Sequence, residues 1–316
     1  MKQDFKPLAL VVGGSLIASI ISFLLGLKYL YAAILIVIVG FSFAYGLGIL
    51  QAALKRYRQH HRWRNIRVGI LYDICWNIES SHARTDVTPE EWTESLLKYL
   101  KEGGVNPKIE FTEVTSKLEK YSAILNPYGS VYPEIDLENL ESLHKILEYV
   151  NEGGLFISVA DMPFYYAYNN RVRKRISQQP SSFRFFRKKI WPYLLNPFSK
   201  NVGLEFYNLD DNGNTSPAPF PLCPPEDKIE VVCRRGAQID ENVKSHMRIK
   251  PDRGGKGIEY SPLFSAYYGA GEFLISTIWI SGDENQGNVR SAVVRVICTL
   301  IQEKLKKLIL DNQTRT

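Results

Sequence analysis

Two charge-free runs at the amino end constrain this chain more than anything that follows them. No charged residue occurs from Pro7 to Leu27, and none from Tyr29 to Leu54. A helix crossing a hydrocarbon layer about 30 Å thick needs around 20 apolar residues, and each run is long enough. A cleaved leader would carry an apolar stretch of only about 7–15 residues ending in a small-residue site. The pair is therefore read as a transmembrane helical hairpin over 1–54. The chain-wide averages, 45% hydrophobic residues and a mean hydropathy of −0.16, hide this concentration.

The basic residues give an orientation. Lys55, Arg56, Arg58, Arg62, Arg64 and Arg67 crowd the exit of the second run, Lys2 and Lys6 precede the first, and only Lys28 lies between them. Basic residues flanking membrane helices stay on the cytoplasmic side. The expectation is an integral protein of a cytoplasmic membrane with two spans, both termini cytoplasmic, and a basic juxtamembrane linker over 55–67. The formal charge of +6 owes much to that linker. It suits anionic lipid headgroups and does not argue for nucleic acid.

Small residues recur at intervals of four in both runs: Gly14, Ala18, Ser22 and Gly26, then Ala32, Gly40, Ala44 and Gly48. That spacing puts them on one helical face, where backbones can approach closely. The two helices could pack on each other, or the same faces could build a homo-oligomer. Neither run contains Asp, Glu, Lys, Arg or His, which argues against an ion pathway. The four cysteines, Cys75, Cys223, Cys233 and Cys298, show no metal-ligand spacing and read as free thiols.

From Ile66 the pattern alternates strand and helix. Strands are expected at Ile66–Tyr72, Lys108–Val114, Tyr121–Leu125 and Leu155–Val159. One helix should begin at Pro89 behind an N-cap at Thr88, with Glu90 and Glu91 in its first turn, and stop at Gly103-Gly104. A second should begin near Asp136 and carry Leu140, Leu143, Ile146, Leu147 and Val150 inward. A hairpin follows at Leu263–Tyr268 and Phe273–Ile280, then a closing helix over about 289–310. Alternation of this kind implies right-handed crossovers and a mainly parallel sheet in a three-layer α/β sandwich over 68–311.

Four features of that region, in their order, resemble the class I glutamine amidotransferase-like superfamily (flavodoxin-like, with its ThuA-like branches). They are the first strand ending in Asp73; the turn Asn126-Pro127-Tyr128-Gly129; Gly153-Gly154 leading into the fourth strand; and Tyr268-Gly269-Ala270-Gly271-Glu272 before the closing helix. The resemblance covers about 70–160 and 260–310. It implies a Cys on the turn after the fourth strand, where this chain has Ser158-Val159-Ala160-Asp161-Met162-Pro163. It also implies a His before the closing helix, where this chain has Ser281-Gly282-Asp283-Glu284-Asn285. With neither the thiol nor its base, glutaminase chemistry is not expected.

In an open parallel sheet, ligands bind beyond the carboxyl ends of the strands. That edge offers Asp73, Asn126, Tyr128, Ser130 and Asp161 as candidate ligand-binding residues, of which Asp73 and Asp161 could bind a sugar hydroxyl, an amine or a metal. Each could equally cap a helix or turn. The stretch 171–200 is basic and aromatic, without an acidic residue. Its Arg184, Arg187, Lys188 and Lys189 are candidate membrane-surface residues, and Phe198 is among its aromatics. No metal-binding or cofactor motif is present. The expected function is a membrane-anchored, non-catalytic module that binds a small molecule or protein partner. The alternatives are a hydrolase with a different nucleophile or a metal-bound water, and an oligomeric effector that permeabilises the membrane.

Overall fold

In a computed structural model of the chain, the described residues are 14–15, 17–20, 30–64, 66–72, 85–136, 139–169, 174–177, 197–204, 206–208, 233, 235–249, 259–280 and 287–313. The chain divides into two units, Met1–Arg58 and Gln59–Thr316.

The first helix, α1, spans Leu30–Arg64. Its segment Val37–Leu54 has a mean hydropathy of 1.8, and none of it is buried. Phe43 and Tyr45 are among the most exposed large side chains of the protein. The expected two-helix hairpin is corrected here, since among the described residues this is the one helix long and apolar enough to cross a membrane. Most of the first run, 7–27, lies outside the described residues.

In the second unit, β1 is Arg67–Leu71, α2 Pro89–Glu102, β2 Lys108–Thr112, β3 Ala123–Asn126, β4 Val131–Pro133, α3 Glu141–Asn151 and β5 Leu155–Ser158. Then come β6 Tyr166–Asn169, β7 Lys174–Ser177, α4 Pro197–Val202, β8 Phe206–Asn208, β9 Arg235–Gln238 and β10 Val243–Ile249. The chain closes with β11 Tyr260–Tyr268, β12 Gly271–Ser276 and α5 Gly287–Gln313.

The main sheet runs β2-β1-β3-β5-β12-β11-β9-β8, with β10 also paired to β11. From β2 to β12 every pairing is parallel. From β12 onward every pairing is antiparallel. The expected mainly parallel sandwich is thus corrected to a mixed, open sheet. Strands β4, β6 and β7 form a second, smaller sheet.

Helix α2 starts where the sequence places it. Thr88 Oγ1 accepts from Glu91 N at 3.1 Å and Glu91 Oε2 accepts from Thr88 N at 2.8 Å, a capping box. Its apolar stripe, Trp92, Leu96 and Leu100, packs with Val293, Ile297 and Ile301 of α5 over one face of the sheet. Leu143, Ile146 and Val150 of α3 cover the other face, against Ile124, Phe156 and Phe273. Burial of each such side chain contributes roughly 1.5–3 kcal/mol of transfer free energy.

Helix α3 departs from expectation by starting at Glu141. Before it, Asn139 N donates to Asp136 Oδ1 at 3.2 Å and Leu140 N to Asp136 O. Leu140, the residue before the helix, is left-handed (φ 52) and offers no capping side chain. The cap comes from Glu134, whose carboxylate accepts from Ser142 N at 2.8 Å and Leu143 N at 3.3 Å.

Candidate functional site

Strand order reverses between β1 and β3, because β2 lies on one side of β1 and β3 and β5 on the other. The carboxyl edge at that reversal is where a crevice is expected. Asn126 ends β3 and Ser158 ends β5, and the two are register partners on one face of the sheet. Asn126 is fully buried and engaged with its own loop: Nδ2 donates to Val131 O at 2.9 Å, and Oδ1 accepts from Tyr128 N at 3.2 Å. This pins the turn that carries Gly129 at φ 63. Tyr128 and Ser130, on that turn, are buried as well. Asn126 thus shapes the wall of the edge.

Ser158 is different. Its side chain is buried, and its Oγ has no hydrogen-bond partner among the described residues. A buried hydroxyl without a partner costs about 1–3 kcal/mol, so it marks a place where another polar group is wanted.

The turn after Ser158 is strained. Ala160 (φ 56), Asp161 (φ 86) and Phe164 (φ 56) all sit in the left-handed region without being glycine. Each such residue costs on the order of 1–3 kcal/mol and persists only where its surroundings hold it. Phe164 supplies the hold. Its ring meets Tyr132 edge-on at 5.1 Å, Phe198 at 4.7 Å and Phe156 at 5.4 Å, and Phe273 closes the cluster against Phe198 at 4.9 Å. Phe198, expected at a membrane surface within the basic stretch, is therefore part of the core.

Held this way, Asp161 keeps 9% of its surface exposed, and its Oδ1 accepts from Met162 N at 2.8 Å. Its charge also reaches the buried thiol of Cys233. Burial, and secondarily the Asp161 carboxylate, push that thiol up to about 12. Asp73 lies outside the described residues, as do Arg184, Arg187, Lys188 and Lys189. Among the described residues no group of three or more His, Cys, Asp or Glu is placed to hold a metal.

Sequence reasoning selected Asp161 and Asn126 but passed over Ser158 and Ala160. The strand-end position of Ser158 was visible in the sequence. Its missing partner was not, because that depends on what packs around it.

No protein-family model and no curated protein matches the sequence. Among solved structures the chain is similar to a β-galactosidase from Bacillus circulans sp. alkalophilus, at 11% identity and TM-score 0.41, over 76% of this chain and 31% of that one. It is also similar to an exo-β-1,4-mannosidase from an Opitutaceae bacterium, at 12% identity and TM-score 0.39, over 74% of this chain and 35% of that one. A cytoplasmic protein from Salmonella typhimurium matches at 14% identity and TM-score 0.38, over 74% of this chain and 97% of that one. The chain spans about a third of the length of the two glycosidases, and similarity of this degree carries no activity across. None of these proteins is named as a glutamine amidotransferase. The amidotransferase-like, flavodoxin-like assignment rested on four short turns and is withdrawn. The reading of the chain as a membrane-anchored, non-catalytic module was built on that assignment and on a two-helix anchor, and it is withdrawn with them.

Proposed function

We propose that the turn closing β5 is one wall of a small-molecule site, in which the Asp161 carboxylate accepts hydrogen bonds from the hydroxyl groups of a sugar or polyol. The observation that carries this reading is the run of left-handed residues at 160, 161 and 164, locked by the Phe164 aromatic cluster. Strain of this kind concentrates where a side chain must be presented in one orientation. Ser158 supports the reading, because a ligand hydroxyl entering beside Asp161 would meet its spare Oγ.

The test is a thermal-shift panel of pentoses, hexoses and hexitols on the full-length chain. A ligand at a hundred times its Kd adds about 2.7 kcal/mol, several degrees for a protein of this size. Asp161→Asn and Ser158→Val should each diminish the shift while leaving the unliganded melt cooperative. A full panel without a response, or a response that both variants retain, would reject the site.

A second reading concerns location. We propose that α1 lies in a bilayer, because Val37–Leu54 is apolar and uncovered along its whole length. Resistance to alkaline-carbonate extraction checks this. Val39→Lys with Leu47→Lys should release the chain, since each charge at mid-membrane costs about 2.5–3.5 kcal/mol. A parent chain that is itself released by carbonate would refute it.

A further inference from the structure

A cavity of about 270 Å³ opens at the opposite, amino edge of the sheet. It lies where β5 and β12 begin, at Leu155 and Gly271, and is closed by β10 and the last turns of α5. Its volume is some nine times the share of one water molecule in the liquid, room for a small metabolite.

Three lysines and a histidine line the cavity. Lys304 and Lys307 come from α5, and Lys244 and His246 from β10. The Lys304 and Glu272 side chains are only 12% and 18% exposed and form an ion pair. A lysine this buried is rare without a partner, and here the partner accounts for only part of its hydrogen-bonding capacity. An ammonium carries three N–H donors, and Glu272 is the acceptor found for Lys304 among the described residues. For the other two donors no second acceptor is found among the described residues. Lys244 and Lys307 are exposed at its mouth, with Glu303 the remaining acid.

His246 senses the same surroundings. Its Nε2 lies 2.8 Å from Ser265 Oγ. Burial, then Lys304 and Lys244, push the imidazole down to about 4, against a smaller opposing effect of Glu272. Positive potential therefore outweighs negative at the ring. Counting Lys244, Lys304 and Lys307 against Glu272 and Glu303 leaves one positive charge that the lining does not neutralise.

We infer that this cavity binds a small oxyanion, a phosphate or carboxylate group, between Lys304 at its floor and Lys244 and Lys307 at its mouth. The oxyanion accepts from the remaining Lys304 donors, and the Glu272 carboxylate holds that ammonium in place. The site is independent of the strand-end site, since it lies on the other edge of the sheet and shares no residue with it.

The experiment is isothermal titration of the full-length chain with inorganic phosphate and, separately, with citrate, in chloride buffer. Saturable one-site binding within about 10 mM is expected for one of them, and which one it is separates phosphate from carboxylate ligands. Lys244→Gln with Lys307→Gln removes exposed side chains, so the fold is kept, and it should weaken binding about tenfold or more. Lys98→Gln removes an exposed lysine on α2 and should change nothing. Absence of saturable binding to either anion overturns the inference. So does binding that survives the double substitution, which would place the anion on another basic segment, or binding weakened equally by Lys98→Gln.

Discussion

Glu134 caps α3 from across a loop, and truncating it gives the sharpest test of the packing argument. Its side chain is 2% exposed and accepts four backbone N–H bonds, from Ile135 at 2.9 Å, Asp136 at 3.2 Å, Ser142 at 2.8 Å and Leu143 at 3.3 Å. The last two belong to the first turn of α3, whose N-terminal N–H groups have no intrahelical acceptor. Ser142 and Leu143 are fully buried, so water cannot readily replace the carboxylate. Leaving a buried donor unsatisfied costs about 1–3 kcal/mol, and loss of a helix cap alone costs about 0.5–2 kcal/mol. Two donors stranded at the lower figure, with a favourable carboxylate–helix interaction also lost, give about 3 kcal/mol for Glu134→Ala. Glu134→Gln keeps one acceptor oxygen and should cost about half of that. Urea unfolding of the full-length chain, followed by fluorescence with Trp92 buried in the core, reads both values. If Glu134→Ala costs less than about 1 kcal/mol, or the two variants are equal, Glu134 is not the cap of α3 and the frame of the 127–136 loop must be sought elsewhere.

Other outcomes follow from burial and charge. Burial pushes the thiols of Cys233 (to about 12) and Cys298 well up, so neither should react with a thiol reagent at pH 8 until the chain unfolds; prompt native-state labelling at either position, read by mass spectrometry, would contradict this. His246 is held neutral down to about 4 when folded, against 6.5 as its ordinary value. The unfolded chain binds the extra proton between those values, so the His246 contribution is intact above about 6.5 and is lost as pH falls toward 4. Stability of His246→Gln should therefore depend less on pH across that window than the parent's; parallel curves would exclude the effect. Gly271→Ala should destabilise by about 2–3 kcal/mol, because its Cβ would stand 2.1 Å from Val150 O and 2.4 Å from Gly154 O, both backbone. A normal melting temperature for that variant would show that the β5–β12 junction can yield.

Much of the fold is legible where the apolar pattern is continuous. Strands β1, β3 and β5 are short apolar runs bounded by turns, and they fall within a residue or two of where the sequence puts them. Thr88, Pro89 and Glu91 mark the start of α2, because a capping box is a local device written into four consecutive residues. The start of α3 is not legible for the converse reason. Its cap, Glu134, stands seven residues before the helix and acts across a loop. Strand β10 is invisible to periodicity, because irregularities between Ser245 and Met247 and between Met247 and Ile249 break the alternation of buried and exposed positions. The antiparallel pairing of β11 with β12 is legible as a hairpin around Gly269-Ala270-Gly271, whereas the antiparallel addition of β10, β9 and β8 beyond it is not.

The two candidate sites differ in legibility for a related physical reason. At the carboxyl edge, Asn126, Ser158 and Asp161 each follow directly from the end of a strand, so topology alone brings them to one region. Only the strain at 160–164 needs the structure, because it is imposed by Phe164 packing against Phe198, a ring far along the chain. At the amino edge the glycine turns at 153–154 and 269–271 are local, but the charged groups are brought together only by the fold. Gly154 reaches the cavity through the approach to β5, Glu272 through its register with Leu155, Lys244 through its pairing opposite Ser265, and Lys304 through α5 packing back over the sheet. Taken singly these are a glycine, an acid and two lysines of the kind found on any surface. They become a site because two parallel strands and one antiparallel strand begin or end at the same height, which buries an ammonium that sequence reasoning would have left in water.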